Sequence, residues 1–325
     1  MVIETPLLFA LIAAGLLALA FLLGLAFGHR AQNRIAKDHP PEAEFITIDG
    51  TRLHYRRTGR PGKQAVLVLH GATTNLEEPY AALNNALADE DVIWVDRPGL
   101  GWSERPEGDW SPQQEAELLI GLLDALEVEQ VVLVGHSWGG AIAMRIALDH
   151  PERVAGLVLI AAALGAWIGE AAWFNKVTFW PLLGTLITRI IVPLTGGKQL
   201  ESGAANAFHP EPVPEDYSRR VKMPLLLRRD IWLANASDMR QVNHHLEAQE
   251  PRYHEIEHRA IFLAGKGDTV LWSHRHSGVT ASRMRQGEVR YLKGAGHNLH
   301  HHWPEDIAQA IREVRESAEK SASPS

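Results

Sequence analysis

Short runs of aliphatic and β-branched residues alternate with helical stretches along most of the chain. Of all features of the sequence, this alternation restricts the possible folds most strongly. Four of the runs are AVLVLHG (65–71), VIWVDRPG (92–99), VVLVGHS (131–137) and VAGLVLIA (154–161). Helical patterns lie between them, at about 76–89, 111–126 and 138–149. Because near-continuous apolar strands separated by helices are buried on both faces, the pattern predicts a mostly parallel α/β sheet covered by helices.

The alternation begins with a hairpin and is interrupted once. FITIDG and RLHYRR alternate around the turn Asp49-Gly50, and the strand pattern resumes with AIFLAG (260–265) and EVRYLKG (288–294) before a last helix from about Pro304. The interruption at 164–259 is mostly helical in period. An insertion between two strands of such a sheet lies above the strand carboxyl ends, where ligands bind. We therefore expect a helical cap at 164–259 on a core formed by 44–163 and 260–325.

The N-terminal segment carries a long uncharged stretch. Between Pro6 and Gly28 there is no charged residue. As a helix, this stretch would be about 34 Å long, against about 30 Å for the hydrocarbon core of a bilayer. We interpret residues 1–30 as an uncleaved, single-pass membrane anchor. The alternative is a signal peptide cleaved after Ala18-Leu19-Ala20, although the apolar run continues past that point and no Lys or Arg precedes it.

The charges that flank the stretch bear on its orientation. Only Glu4 precedes it, whereas Arg30, Arg34 and Lys37 follow it. The positive-inside rule therefore favours the cytoplasmic face for the rest of the chain. The opposite orientation stays open, because single-pass anchors with short N-termini also insert the other way and a chain without cysteine tolerates either compartment.

Two further features concern the anchor and the residues immediately after it. Ala20, Gly24 and Gly28 form a small-xxx-small row through which two anchors could pack as a weak homodimer. The alternative is that small residues are simply common in membrane helices. Residues 31–43, which include Pro40-Pro41, are expected to form a polar linker to the rest of the chain.

Composition excludes several classes of function. The chain has no cysteine, so it can form no disulfide, thiolate metal site or cysteine nucleophile. Its formal net charge of −7 argues against a nucleic-acid partner, since such proteins usually carry a basic face. The clusters His300-His301-His302 and His244-His245 suggest metal binding, but adjacent histidines are not expected to converge on one ion. We expect neither a metal nor an organic cofactor.

The most informative motif is Gly135-His136-Ser137-Trp138-Gly139, which follows an apolar run and opens a helix. G-x-S-x-G between a strand and a helix is typical of a nucleophile elbow, in which the serine is exposed on a tight turn. A serine nucleophile needs a base and an orienting carboxylate. His297 follows the last strand and Asp268 follows the strand before it, which gives the chain order serine, acid, histidine.

This order predicts an acyl-transfer mechanism. His297 accepts the proton of Ser137 as the serine oxygen attacks an acyl carbon, and Asp268 stabilises the resulting imidazolium. The backbone N–H groups of Ala72 and Trp138 are the expected oxyanion hole, since one follows the early strand-to-helix turn and the other follows the nucleophile.

Three tryptophans are candidates for substrate binding: Trp138 beside the nucleophile, and Trp173 and Trp180 in the expected cap. The stretch 173–194 carries only two charged residues and would be costly to leave facing water. Three arrangements are open. It lines an acyl pocket above the nucleophile, it rests on the membrane interface with Trp173 and Trp180 at headgroup level, or it packs against the sheet as ordinary core.

The motifs together resemble the α/β-hydrolase superfamily over residues 44–317. They are HGATTN (70–75), DRPGLGWS (96–103), GHSWGG (135–140), GKGD (265–268) and GAGH (294–297). The resemblance implies an eight-stranded, mostly parallel sheet with a helical cap after the sixth strand, and a structural role for the DRPGLGWS turn. The elbow is similar to the GHDWGG of epoxide hydrolases and haloalkane dehalogenases, but Ser137 stands in place of their aspartate. That difference argues against both activities and favours ester, thioester or lipase chemistry.

The favoured function is a serine hydrolase that cleaves a small-molecule or lipid ester. An N-terminal anchor before a capped hydrolase domain is also similar in layout to membrane-bound monoacylglycerol lipases. A cofactor-free C–C bond hydrolase or a perhydrolase would use the same three residues. A non-catalytic membrane-tethered binding module or scaffold is less favoured, because such proteins usually lose a member of the triad.

Overall fold

The computed structural model describes residues 5–60, 64–108, 110–167 and 172–322, with side chains up to residue 320. Within these residues, eight strands form one sheet in the order β1-β2-β4-β3-β5-β6-β7-β8. The strands are β1 Glu44–Ile48, β2 Thr51–Thr58, β3 Ala65–Leu69, β4 Val92–Val95, β5 Val131–His136, β6 Val154–Ile160, β7 Ala260–Gly265 and β8 Gly287–Leu292. Strand β2 is antiparallel to β1 and β4, and all other pairs are parallel. The predicted hairpin and mostly parallel sheet are confirmed.

Helices cover the sheet and fill the interval between β6 and β7. In chain order they are α1 Thr5–Asp38, α2 Glu77–Leu83, α3 Pro112–Ala125, α4 Trp138–Asp149, α5 Trp173–Val177, α6 Leu183–Leu186, α7 Val192–Thr195, α8 Gly197–Phe208, α9 Tyr217–Arg220, α10 Arg229–Gln249, α11 Val279–Arg283 and α12 Pro304–Ala322. A π-helical stretch, Ile187–Ile191, joins α6 to α7. Helices α5 to α10 form the cap, as the sequence pattern predicted for this fold class.

The two faces of the sheet bury alternate residues of the same strands. On β3, Leu67 and Leu69 belong to one apolar cluster while Val66 and Val68 belong to the other. The same alternation occurs on β5, and all six residues of that strand are buried. Burial on both faces is the reason that these strands are apolar throughout. Because β3, β5, β6, β7 and β8 are parallel neighbours in this order, their carboxyl ends lie at the same edge of the sheet, below the cap.

Helix α1 is longer than the uncharged stretch that begins it. It is the one helix among the described residues that is long and apolar enough to cross a membrane, and its apolar window is wholly unburied. The prediction that the linker begins at residue 31 was wrong, because α1 continues to Asp38. Residues 31–38 contain no glycine or proline, so nothing stops the helix before Pro40-Pro41. Glu4, which entered the orientation argument, lies outside the described residues, as do 168–171 of the predicted cap.

The small residues of α1 contact the cap of the same chain. A Cβ added to Gly24 would lie 2.9 Å from Cδ1 of Ile190, and one added to Gly28 would lie 1.8 Å from the carbonyl oxygen of Arg189. The two glycines therefore let α1 approach the Ile187–Ile191 stretch closely. The cap of the same chain thus covers Gly24 and Gly28, and a homodimer through the row of small residues stays a prediction.

Because the chain has no cysteine, this contact can be tested by cross-linking in a clean background. Combining Gly24→Cys with Ile190→Cys should give an intramolecular disulfide on mild oxidation, because a Cβ at position 24 would lie 3.3 and 3.6 Å from the two Cγ atoms of Ile190, where a cysteine places its sulfur. The product would migrate as a compact monomer on a non-reducing gel. Gly15→Cys with Ile190→Cys is the matched control, since a Cβ at position 15 would meet no described residue outside its own helix within 4 Å. Disulfide-linked dimers from Gly24→Cys alone would show instead that the row joins two chains.

Candidate active site

Ser137 lies on a strained turn between β5 and α4. Its φ of 52° and ψ of −119° are unusual for a residue with a side chain. Such backbone strain costs about 1–3 kcal/mol and persists only when the surroundings enforce it. Here the Ser137 N–H donates to Ile160, and the Ser137 carbonyl accepts from Gly140 and Ala163. A Cβ on Gly139 would lie 2.2 Å from the carbonyl oxygen of Leu69, so the turn fits against β3 only with glycine at that position.

The structure brings the three residues of the predicted triad together. The Nε2 atom of His297 lies 3.0 Å from Oγ of Ser137, and its Nδ1 atom lies 2.9 Å from Oδ2 of Asp268. The other oxygen of Asp268 accepts the N–H groups of Val270 and Leu271 at 2.8 and 2.9 Å. The side chains of His297 and Asp268 are 7% and 1% exposed, which shields this hydrogen-bonded chain from water. The arrangement orients His297 to accept the Ser137 proton.

The loop after β3 lies directly against the elbow. A Cβ on Gly71 would be 3.1 Å from Cβ of Ser137, so the backbone of this loop is next to the serine. Thr73 has a φ of 56°, and its N–H donates to Oδ1 of Asn235 on α10 at 2.7 Å. A side chain of the cap therefore fixes the loop that contains Ala72. Trp138 is the first residue of α4, and helix geometry leaves its N–H without a partner inside the helix.

Below this loop, His70 is held as a neutral ring. Its Nδ1 atom lies 2.8 Å from the carbonyl oxygen of Gly71, and its Nε2 atom accepts the N–H of Arg97 at 3.0 Å. Burial, followed by the nearby Arg97 guanidinium, lowers the pKa of His70 to about 4. Nε2 must be unprotonated to accept a hydrogen bond, so the low pKa and the geometry agree. His70 supports the loop and does not face the serine hydroxyl.

A buried ionic cluster fastens the cap to the sheet beside this loop. Arg97, which is fully buried, donates to both oxygens of Glu115 at 2.6 and 3.1 Å. It also donates to Asp238 of α10 at 3.2 Å, and Arg105 contacts both oxygens of Asp238 at 2.8 and 3.1 Å. Asp238 thus has a structural role, since it joins α10 to both arginines. Nothing in the sequence around Asn235 or Asp238 indicated that they reach the sheet domain.

The DRPGLGWS turn is organised by its aspartate. Asp96 accepts the N–H groups of Leu76 and Trp102 at 2.7 and 2.8 Å and lies 2.7 Å from Nδ1 of His54. Ser103 donates to the carbonyl oxygen of Asp96 at 2.6 Å. These contacts join the turn to β2 and to the start of α2, in agreement with the structural role that the family resemblance implied.

Two of the histidines after His297 meet at one carboxylate oxygen, whereas His302 contacts the carbonyl oxygen of Pro212. Nε2 of His300 and Nε2 of His301 lie 2.7 and 2.8 Å from the same oxygen of Glu78. The three potential ligand atoms lie within 4.8 Å of one another. A 3₁₀ turn at Leu299–His301 aims both rings at α2, a backbone geometry that residue spacing does not reveal. One carboxylate oxygen serves both rings, so the cluster joins α2 to the loop that carries His297. His244 and His245 are not part of it.

The predicted substrate-binding tryptophans lie in different environments. Trp138 is 2% exposed and packs in the core of the sheet domain, and its role as a substrate-contacting side chain stays a prediction. Trp173 and Trp180 are 71% and 58% exposed on the cap. Their exposure excludes the arrangement in which the 173–194 stretch packs wholly as ordinary core.

Residues 66–310 match the model of the alpha/beta hydrolase family. The chain belongs to this family. In fold, it is similar to a membrane phospholipase A described as a bacterial virulence factor, with a TM-score of 0.65, 20% sequence identity, and coverage of 96% of this chain and 97% of that one. That alignment extends the likeness to almost the whole chain.

Two sequence relatives carry different named activities. A poly(3-hydroxyalkanoate) depolymerase of Ectopseudomonas oleovorans is 39% identical over 125 residues, which is 38% of this chain and 44% of the relative. A 2-hydroxymuconate semialdehyde hydrolase of Pseudomonas putida is 47% identical over 113 residues, which is 34% of this chain and 39% of the relative. The chain thus spans less than half the length of either relative. The matches support a hydrolase and leave its substrate to be argued from the site.

The cluster around Arg97 predicts unequal effects for two aspartates of α10. Asp238→Ala leaves the buried Arg97 and Arg105 without one carboxylate, which should lower the free energy of unfolding by about 3–5 kcal/mol. Asp230→Ala is the control, because Asp230 is 65% exposed and its ion pair, within the part of the chain that the structure describes, is with Arg228. Its loss should cost no more than about 1 kcal/mol. Urea titration of the purified protein measures both, and equal losses would contradict a buried clamp.

Proposed function

We propose that the protein is a serine hydrolase that cleaves carboxylic esters through an acyl-enzyme on Ser137. The observation that carries this proposal is the hydrogen-bonded chain from Ser137 through His297 to Asp268, built on a strained elbow. A structural serine needs neither the strain nor a buried histidine–carboxylate pair beside it. The alternative of a non-catalytic binding module does not account for either feature.

The reaction follows from this geometry. As Oγ of Ser137 bonds to the acyl carbon, its proton moves to Nε2 of His297, and Asp268 stabilises the imidazolium. The negative charge on the acyl oxygen is stabilised by the N–H groups of Ala72 and Trp138. His297 then protonates the departing alcohol. Water repeats the sequence on the acyl-enzyme, which releases the acid and restores Ser137.

The cap supports an apolar substrate presented at a membrane. Eight large apolar side chains of the stretch 173–194 are 39–83% exposed, and we call them the cap apolar surface: Trp173, Phe174, Phe179, Trp180, Leu182, Leu183, Ile191 and Leu194. A patch of this kind is unfavourable in water and typical of an interface with another phase. It adjoins α1, whose own apolar side chains are exposed. We infer that both rest in one bilayer, with α1 as the anchor, and that the substrate is a lipid ester taken from it.

A cofactor-free C–C bond hydrolase is the second candidate, favoured by the match to the 2-hydroxymuconate semialdehyde hydrolase. The same serine, histidine and oxyanion donors would serve that chemistry. A muconate semialdehyde is a small polar molecule, however, and gives no reason for an apolar cap surface beside an apolar helix. The ester hypothesis accounts for both the triad and that surface, and the match to a polyester depolymerase supports it.

The first test of this function is covalent labelling. A fluorophosphonate probe should label the wild type at Ser137 because a base-activated hydroxyl attacks phosphorus rapidly. Ser137→Ala should remain unlabelled, and His297→Ala and Asp268→Asn should each lower kcat by about 10³–10⁴-fold because the three residues act as one unit. Asp230→Asn, an exposed aspartate of the cap, is the matched control. Near-full activity of Asp268→Asn would place the acid elsewhere.

The second test concerns the substrate class. Among p-nitrophenyl esters, kcat/KM should rise from acetyl to medium and long acyl chains. Trp180→Ala should lower hydrolysis of an ester dissolved in phosphatidylcholine vesicles by about tenfold, since a large apolar contact with the bilayer is lost. Hydrolysis of p-nitrophenyl butyrate in solution should be unchanged, and Phe45→Ala, on the distant strand β1, should alter neither rate. A preference for acetyl esters that Trp180→Ala leaves unchanged would indicate a small-ester hydrolase that is merely tethered.

A further inference from the structure

A cavity of about 490 Å³ lies where α1 meets the cap, away from Ser137. On the α1 side it is lined by Leu25 and Ala26, and one turn further by His29 and Gln32. On the cap side it is lined by two arginines, Arg189 and Arg229. One part of the wall is therefore apolar and the other strongly basic.

The two arginines are not neutralised within the described residues. Neither forms an ion pair there, and the neighbouring Asp230 is engaged by Arg228 at 2.8 Å. The Nε atom of Arg229 is buried and finds no hydrogen-bond partner among the residues that the structure describes. Burial, and then the charge of Arg189, lower the pKa of Arg229, so the two guanidinium groups repel each other across the cavity. A buried N–H donor without an acceptor is costly, and so is a pair of like charges.

The surrounding backbone holds these groups in place. Oε1 of Gln32 accepts the N–H of Arg229 at 3.2 Å, and Nε2 of Gln32 donates to the carbonyl oxygen of Thr188 at 3.5 Å. Gln32 thus joins α1 to both cap segments that carry the arginines. Arg229 is also the first residue of the long helix α10, whose N-terminus favours negative charge.

The position of the cavity along α1 indicates which kind of anion binds there. Leu25 and Ala26 lie in the uncharged stretch, and the first charged residue of the helix, Arg30, follows within about 8 Å at 1.5 Å per residue. If α1 spans the bilayer, as the proposed function holds, the cavity lies at the boundary between acyl chains and headgroups.

We propose that this cavity binds the phosphate group of a membrane phospholipid. The phosphate oxygens accept hydrogen bonds from the guanidinium groups of Arg189 and Arg229, which supplies Nε of Arg229 with its missing acceptor and removes the repulsion between the two charges. The glycerol and the first acyl carbons lie against Leu25 and Ala26. The bound lipid joins α1 to the cap, and it is separate from the lipid that reaches Ser137.

The test uses the full-length Ser137→Ala variant, which cannot consume the lipid, purified in detergent and stripped of lipid. Native mass spectrometry compares retention of phosphatidylglycerol with that of digalactosyldiacylglycerol with the same acyl chains. We expect a preference of about tenfold or more for the phospholipid. Adding Arg189→Gln and Arg229→Gln should abolish that preference. Arg228→Gln is the matched control, because Arg228 is the adjacent residue but is paired with Asp230 outside the cavity.

Equal retention of the two lipids, or a preference that survives the double substitution, would overturn the proposal. Displacement of the phospholipid by millimolar inorganic phosphate would also overturn it, since the site would then be one for free phosphate. The outcome does not depend on the proposed catalysis. With Ser137 intact, the double variant should still hydrolyse p-nitrophenyl butyrate at the wild-type rate. A wild type that hydrolyses no ester would contradict the proposed function, but it would not contradict the proposed headgroup site.

Discussion

The strained backbone of Ser137 is the constraint on which the rest of this structure depends. A serine is stable at a φ of 52° only if the surrounding residues hold it there, and the residues around Ser137 do so. Strand β3 approaches so closely that position 139 admits no side chain, and the carbonyl of Ser137 accepts two N–H groups. The strong apolar packing of the central strands supplies the free energy that this local strain consumes.

The loops around the elbow are held by buried polar groups instead of apolar packing. Arg97 with Glu115 and Asp238 lies on one side of the loop after β3, and Glu78 with His300 and His301 joins α2 to the loop of His297. A buried charge that loses its partner is far more costly than an unmade surface pair, so each cluster tolerates little movement. These contacts hold helix α10 in place on the sheet domain. Through Asn235, which accepts the N–H of Thr73, α10 also holds the loop that contains Ala72.

The cap has a second, different attachment through α1. There the contact is made by small residues and by the Ile187–Ile191 stretch, and the side chains that remain outside are apolar. The cap thus places a hydrophobic surface, and two arginines that form no ion pair within the described residues, next to the helix suited to a bilayer. This division gives the cap one side specialised for the sheet domain and one side suited to acyl chains and phosphate groups.

The order and kind of the elements could be predicted from the sequence, because periodicity and turn residues act locally. The same holds for Ser137, Asp268 and His297, since each follows a strand and parallel strands end at one edge of the sheet. Residue spacing could not predict which residues contact each other across the fold. Glu78 with His300, Asn235 with Thr73, and Gly24 with Ile190 are each separated by more than 150 residues. Only the tertiary structure decides such contacts, because they depend on how helices are placed on the sheet and not on any local pattern.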